Sequence, residues 1–281
     1  MLDTSAAEAG PPRSRAPWLL AFTPVAIVLS HYASVLPHEF AHSITAWTVG
    51  IKDQPFAITW GGGSPANVLL LIDIDENVDY TAALDAGHHW QAALTAFAGP
   101  GIAATGLYLA SRWAITKPFW LSHPVAANLL FWFLLMCLGN VSAYLPTRVF
   151  ASHADVHNFI AGTGANPWVV YVVGNYLVLW AVVDFYRKVM PLGLRLSEFR
   201  TATARAVTLI AMTVFLFGYF ANPSLLVGSD VRAQILAATS MMTIAPIVIL
   251  QWRRLVLAPL PPLADGRPTA GPGPGVQAPR A

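Results

Sequence analysis

The run Pro37-His38-Glu39-Phe40-Ala41-His42 has residue types and a spacing that suit chemistry. Two histidines four residues apart share one face of a helix, about 6 Å apart along its axis, because 3.6 residues make a turn. That spacing lets the imidazoles of His38 and His42 bind one tetrahedral zinc ion, with Glu39 beside the ion's open position. A carboxylate there can take the proton of a water molecule whose acidity the metal raises. His-Glu-x-x-His on a helix is the pattern this chemistry asks for. The setting sharpens the expectation, because Glu39 is the only Asp, Glu, Lys or Arg between Arg15 and Lys52. A lone carboxylate in an apolar span is expensive unless a cation lies close to it.

The elements that must position these residues are membrane helices. The 281 residues are 56% hydrophobic and 11% charged, with a mean hydropathy of +0.54, which excludes an ordinary soluble domain. The expected fold is all-α: a polytopic helical membrane protein with about six transmembrane helices, at about 17–49, 90–110, 124–144, 168–183, 206–221 and 233–252. A polar tail, 1–16, precedes the membrane domain 17–257. A Pro/Gly-rich tail, 258–281, follows it and has the composition of a disordered segment. No cleavable leader is expected, since the apolar run after Arg13 and Arg15 is more than twice a signal h-region in length. Pro24 and Pro37 are expected to kink the long first span, with Pro37 opening it beside His38. Between Ile51 and Ala86, Gly61-Gly62-Gly63-Ser64-Pro65 reads as the turn of a short β-hairpin, and the loop's many carboxylates read as solvated. The single cysteine, Cys137, excludes an intrachain disulfide and reads as core. No basic, aromatic-interleaved face suggests nucleic acid; the partners implied are the lipid bilayer and other membrane proteins.

Charge orients the spans. If alternate connections share a side, 13 of the 16 Lys/Arg fall with the two termini, leaving Lys52, Arg148 and Arg232 opposite. The positive-inside rule then places both termini in the cytoplasm and the His38–His42 pair towards the other face. A third metal ligand is required, and the polar loop after the third span brings Asp155, His153 and His157 to that same face. Asp155 is the leading choice, with His153 and His157 as alternatives and Asp184, at the opposite face, a weaker rival. His31 lies about 10 Å of helix rise from His38, too far to share the ion. Gly99, Pro100 and Asn140 are candidates for shaping a substrate cleft, with tight helix packing the competing role for Gly99-Pro100.

These residues together resemble the site-2 protease family of intramembrane zinc metalloproteases. The resemblance rests on His38-Glu39-Phe40-Ala41-His42 followed by Gly50, on Ala98-Gly99-Pro100, and on Asn140 with Pro146 ahead of an acidic residue, over residues 20–160. It departs from the family's pattern at Ala41, where many members have glycine, and at Asp155-Val156, where the family has Leu-Asp-Gly. The resemblance implies His38, His42 and Asp155 as zinc ligands and Glu39 as the base that activates water. The substrate it implies is a peptide bond of a membrane protein or peptide, within or near the bilayer. Two other readings follow from the sequence: an inactive protease-like scaffold or subunit of a larger membrane complex, and a diiron oxidase of the histidine-box type. The last needs about eight cytoplasm-facing histidines, and here only His123 of the eight falls on that side.

Overall fold

A computed structural model describes residues 16–226 and 230–260; most of both tails named above lies outside the described residues. Helix α1 (Ala16–Thr48) runs as one helix through Pro24 and Pro37, so Pro37 does not open it beside His38. Two short helices follow, α2 (Pro65–Leu70) and α3 (Tyr80–Asp85). Then come α4 (His89–Ala114), α5 (Pro124–Thr147), the short α6 (Asp155–Thr163), α7 (Pro167–Leu196), α8 (Ala202–Leu225) and α9 (Val231–Leu257). Six of these, α1, α4, α5, α7, α8 and α9, are long and apolar enough to cross a membrane. The all-α polytopic architecture is therefore the one the hydropathy implies.

Helix starts follow local chemistry. Asn166 Oδ1 accepts from Trp168 N at 2.9 Å with Pro167 in the first turn of α7, and Thr201 Oγ1 accepts from Ala204 N at 3.2 Å at the head of α8. The centre of the bundle is α5: 67% of its apolar window is buried, against 11% for α9. Phe131, Trp132, Leu135 and Leu138 of α5 pack with Phe185 and Met190 of α7 and Leu209 and Met212 of α8, and Cys137 is buried among them. On the outside, Val172, Tyr176, Leu179 and Trp180 of α7 are exposed, as lipid-facing residues are.

The 51–86 segment differs from the expected hairpin. Its pairing contracts to one antiparallel bridge, Thr59–Asp75, with N–H···O distances of 2.8 and 2.9 Å. The apolar run after the glycines starts as a helix because Ser64 Oγ caps Asn67 N and Pro65 fixes the first turn; Leu71, at φ 48°, ends it. This loop reaches back along α1. Leu70 O meets His31 Nε2 at 2.7 Å, and Tyr32 donates to Val68 O, both at the middle of the 33-residue α1. Non-helical backbone at that depth must be satisfied by protein. Asn67 does much of this, donating to Trp60 O and Gly62 O and accepting from Asp73 N. His31 is thus tied to the loop and stands apart from any metal.

Candidate metal centre

α1 presents His38 and His42 from successive turns, their ring centroids 4.8 Å apart. The two Nε2 atoms are 3.1 Å apart, and each is 3.2 Å from Asp155 Oδ2. Donors held at roughly 2.0–2.1 Å in a tetrahedron lie about 3.3 Å from one another, so the three atoms fit one small ion. All three residues are buried. The same triangle can be read as a buried ion pair between an imidazolium and Asp155. A proton rests on one nitrogen at a time, whereas a divalent cation satisfies all three donors together.

The surroundings support the fit. His42 Nδ1 meets Thr95 O at 2.7 Å; as the donor there, it leaves the Nε2 lone pair for the triangle. His38 is held by stacking, its ring 5.2 Å from that of Tyr144 and 15° from parallel. Behind the donors, α4 widens into a π-helical turn over Ala98–Ala104, a feature frequent at functional sites. It brings the backbone against the imidazoles. A Cβ on Gly99 would lie 2.1 Å from His42 Nε2 and 2.6 Å from His38 Nε2, so glycine keeps the ion's space open.

Asp155 is delivered by α6, which packs tightly on α4. A Cβ on Gly162 would fall 2.4 Å from His89 O, so that packing needs a glycine. Ala154, just before the ligand, has φ 78° and ψ 175°, a conformation costing about 1–3 kcal/mol away from glycine. The strain lies beside the carboxylate it aims. Burial alone would raise the Asp155 carboxyl; in the metal-free ion-pair form, where His42 is an imidazolium, its charge and the hydrogen bonds from the imidazoles outweigh burial and hold the carboxyl well below the ordinary carboxylate range.

Glu39 is buried and opens on a cleft of about 710 Å³, which is also lined by His38, Asn140, Tyr144, Arg148 and the Leu70–Ile74 strip. The predicted residues divide as follows. Asp155 joins the two histidines, while His153 and His157 are exposed, His153 at the cleft and His157 on α6. Asn140 lines the cleft and donates to Ser34 Oγ at 3.3 Å. Gly99 and Pro100 are not on the cleft wall; both are buried in the π turn, which sets the Gly99 backbone against the two imidazoles of α1. Asp184 sits at the other end of the bundle on Arg112 and Lys188.

Four residues escaped the sequence reading. Glu76 belongs to the loop expected to be solvated, yet it is buried, and burial raises its carboxyl. Tyr80 is buried beside it, its hydroxyl raised by burial and by the Glu76 charge. Nothing in the alternation of apolar and acidic residues at 72–79 marks Glu76 from its neighbours. Tyr144 and Arg148 escaped too, although they flank Pro146 of the third motif. Compared with known proteins, the chain matches no family model, no curated protein and no solved structure.

Proposed function

We propose that this protein is an intramembrane zinc metalloprotease that hydrolyses a peptide bond of a membrane-protein substrate. The observation that carries the reading is the convergence of His38, His42 and Asp155, from segments more than 100 residues apart, beside a buried Glu39 that opens on a cleft. His38, His42 and Asp155 would hold the ion, which when bound supplies Lewis acidity to a peptide carbonyl and acidifies water. Glu39 removes a proton from the attacking water and returns it to the departing amine as the C–N bond breaks. The cleft between α1, α5, α8 and the Leu70–Ile74 strip takes an extended substrate segment. Following the charge count, both termini are cytoplasmic and the site lies near the opposite face.

The test is hydrolysis of membrane-protein substrates by zinc-loaded protein in detergent, compared with Glu39→Gln. Losing the general base lowers the rate by about 10²–10⁴-fold while zinc stays bound. An unchanged rate in a metal-replete variant would sink the reading.

The second reading is a protease-like scaffold or subunit of a membrane complex. It is favoured by the ion-pair form of the triangle, in which His42 and Asp155 satisfy each other with no metal. It predicts metal-free protein that co-purifies with a partner and is indifferent to Glu39→Gln.

A further inference from the structure

We propose that Arg148 is the carboxylate-recognition residue of the cleft, reading a peptide carboxylate within about three residues of the scissile bond; the inference rests on the metalloprotease reading. Three cations lie at this end of the bundle, and two are occupied. Lys52 Nζ donates to Ala57 O at 2.7 Å and to Glu76 O. Arg232 grips both oxygens of Asp230 at 2.8 Å and lies over the Phe150 ring. Among the described residues, the Arg148 guanidinium has no ion-pair partner. It is half-buried in the cleft wall with His38 and Glu39, 5.1 Å from the centroid of the Tyr144 ring, which itself lies 5.2 Å from the His38 ring. The imidazole, phenol and guanidinium follow one another along the wall, leading from the metal donors to a free cation.

A guanidinium taken partly out of water is costly until an anion meets it, and its planar fork matches a carboxylate with two parallel hydrogen bonds. Asn222 and Ser224 border the same cleft and add neutral polar groups to its wall. The two legs to His38, 5.2 and 5.1 Å, bound the span from ligand ring to guanidinium. An extended peptide advances about 3.3 Å per residue, which sets the limit of about three residues. The carboxylate can be an Asp or Glu side chain or the substrate's C-terminus.

The experiment measures binding of peptide hydroxamates to the zinc-loaded full chain in detergent, by fluorescence anisotropy. One set has Asp at the first, second or third residue and an amidated C-terminus. A second has Asn there and a free C-terminal carboxylate, and the reference has Asn and the amide. In wild type, a carboxylate-bearing ligand binds at least about tenfold tighter than the reference, as a charge-assisted pair should. The winning set identifies the source of the carboxylate. The preference disappears in Arg148→Gln and is retained in part in Arg148→Lys, which preserves the charge without the fork. Equal binding of all ligands by wild type, or a preference that survives Arg148→Gln, overturns the assignment and leaves the zinc site standing. Failure of every hydroxamate to bind protein that holds zinc overturns the metalloprotease reading and this inference with it.

Discussion

The bundle buries an aspartate at each end, and the two are held in opposite ways. Asp184 meets Arg112 Nε at 2.6 Å and Lys188 Nζ at 3.0 Å, linking α4 to α7 through a guanidinium and an ammonium group. Asp155 meets two imidazole nitrogens at 3.2 Å, groups that are either proton carriers or metal ligands. The first arrangement is closed, with an ion-pair partner already on each carboxylate oxygen. The second is open, since its donors point at one another across a gap where a Cβ of residue 99 would stand. A buried carboxylate therefore marks chemistry only when its partners leave something to be added. By that criterion the Asp184 end is a structural fastening and the Asp155 end is the candidate site.

Swapping the loss between the ends breaks the comparison most sharply. His42→Ala should take zinc from about one per chain to almost none, because two donors rarely hold the ion. Asp184→Ala should leave the zinc in place and lower the melting temperature instead, since removing one partner strands the charges of Arg112 and Lys188. Elemental analysis and thermal unfolding of the purified proteins separate the two outcomes. Equal zinc in both variants would erase the distinction.

Gly99→Ala tests whether the gap is needed. The added methyl would meet His42 Nε2 at 2.1 Å, so zinc affinity should fall by about 10–100-fold in protein that still folds. Competition with a chromogenic chelator measures it, and wild-type affinity would show that the backbone does not shape the site. A weaker effect is expected at Glu76. Its carboxyl is raised by burial, so the folded state binds the extra proton and stability falls as the pH rises from the ordinary 4.5 through the folded value. In metal-free protein, Glu76→Gln should raise the melting temperature by about 2–4 °C at pH 8 and change it little at pH 4. A destabilised variant at pH 8 would mean that the charge of Glu76 is needed.

The smallest effect is expected at the surface pair that caps α9. Hydrogen bonds from the Arg232 side chain and backbone hold the Asp230 carboxyl down at about 2. Its contribution is complete above the ordinary 3.8 and is lost as the pH falls through about 2. Asp230→Asn should thus remove only a slight stabilisation at neutral pH, read by chemical unfolding in detergent, and leave zinc content untouched. Any loss of zinc would tie this loop to the site.

Composition and periodicity determined the six apolar helices, because burying a backbone in lipid leaves helices as the economical solution for such a chain. The i, i+4 spacing also determined that His38 and His42 share a face with Glu39 between them, a local consequence of 3.6 residues per turn. Only the tertiary structure brought Asp155, rather than His153 or His157, up to the two imidazoles, since the three sit close in sequence and their placement depends on how α6 docks on α4. It also buried Glu76, set the Gly99 backbone against the donors and replaced the expected hairpin with α2. Those outcomes follow from contacts between segments far apart in the chain, such as His31 with Leu70 and Asp155 with His38. No local pattern encodes them. A helix face is written in neighbouring residues, whereas a site is completed by whatever the rest of the fold presses against that face.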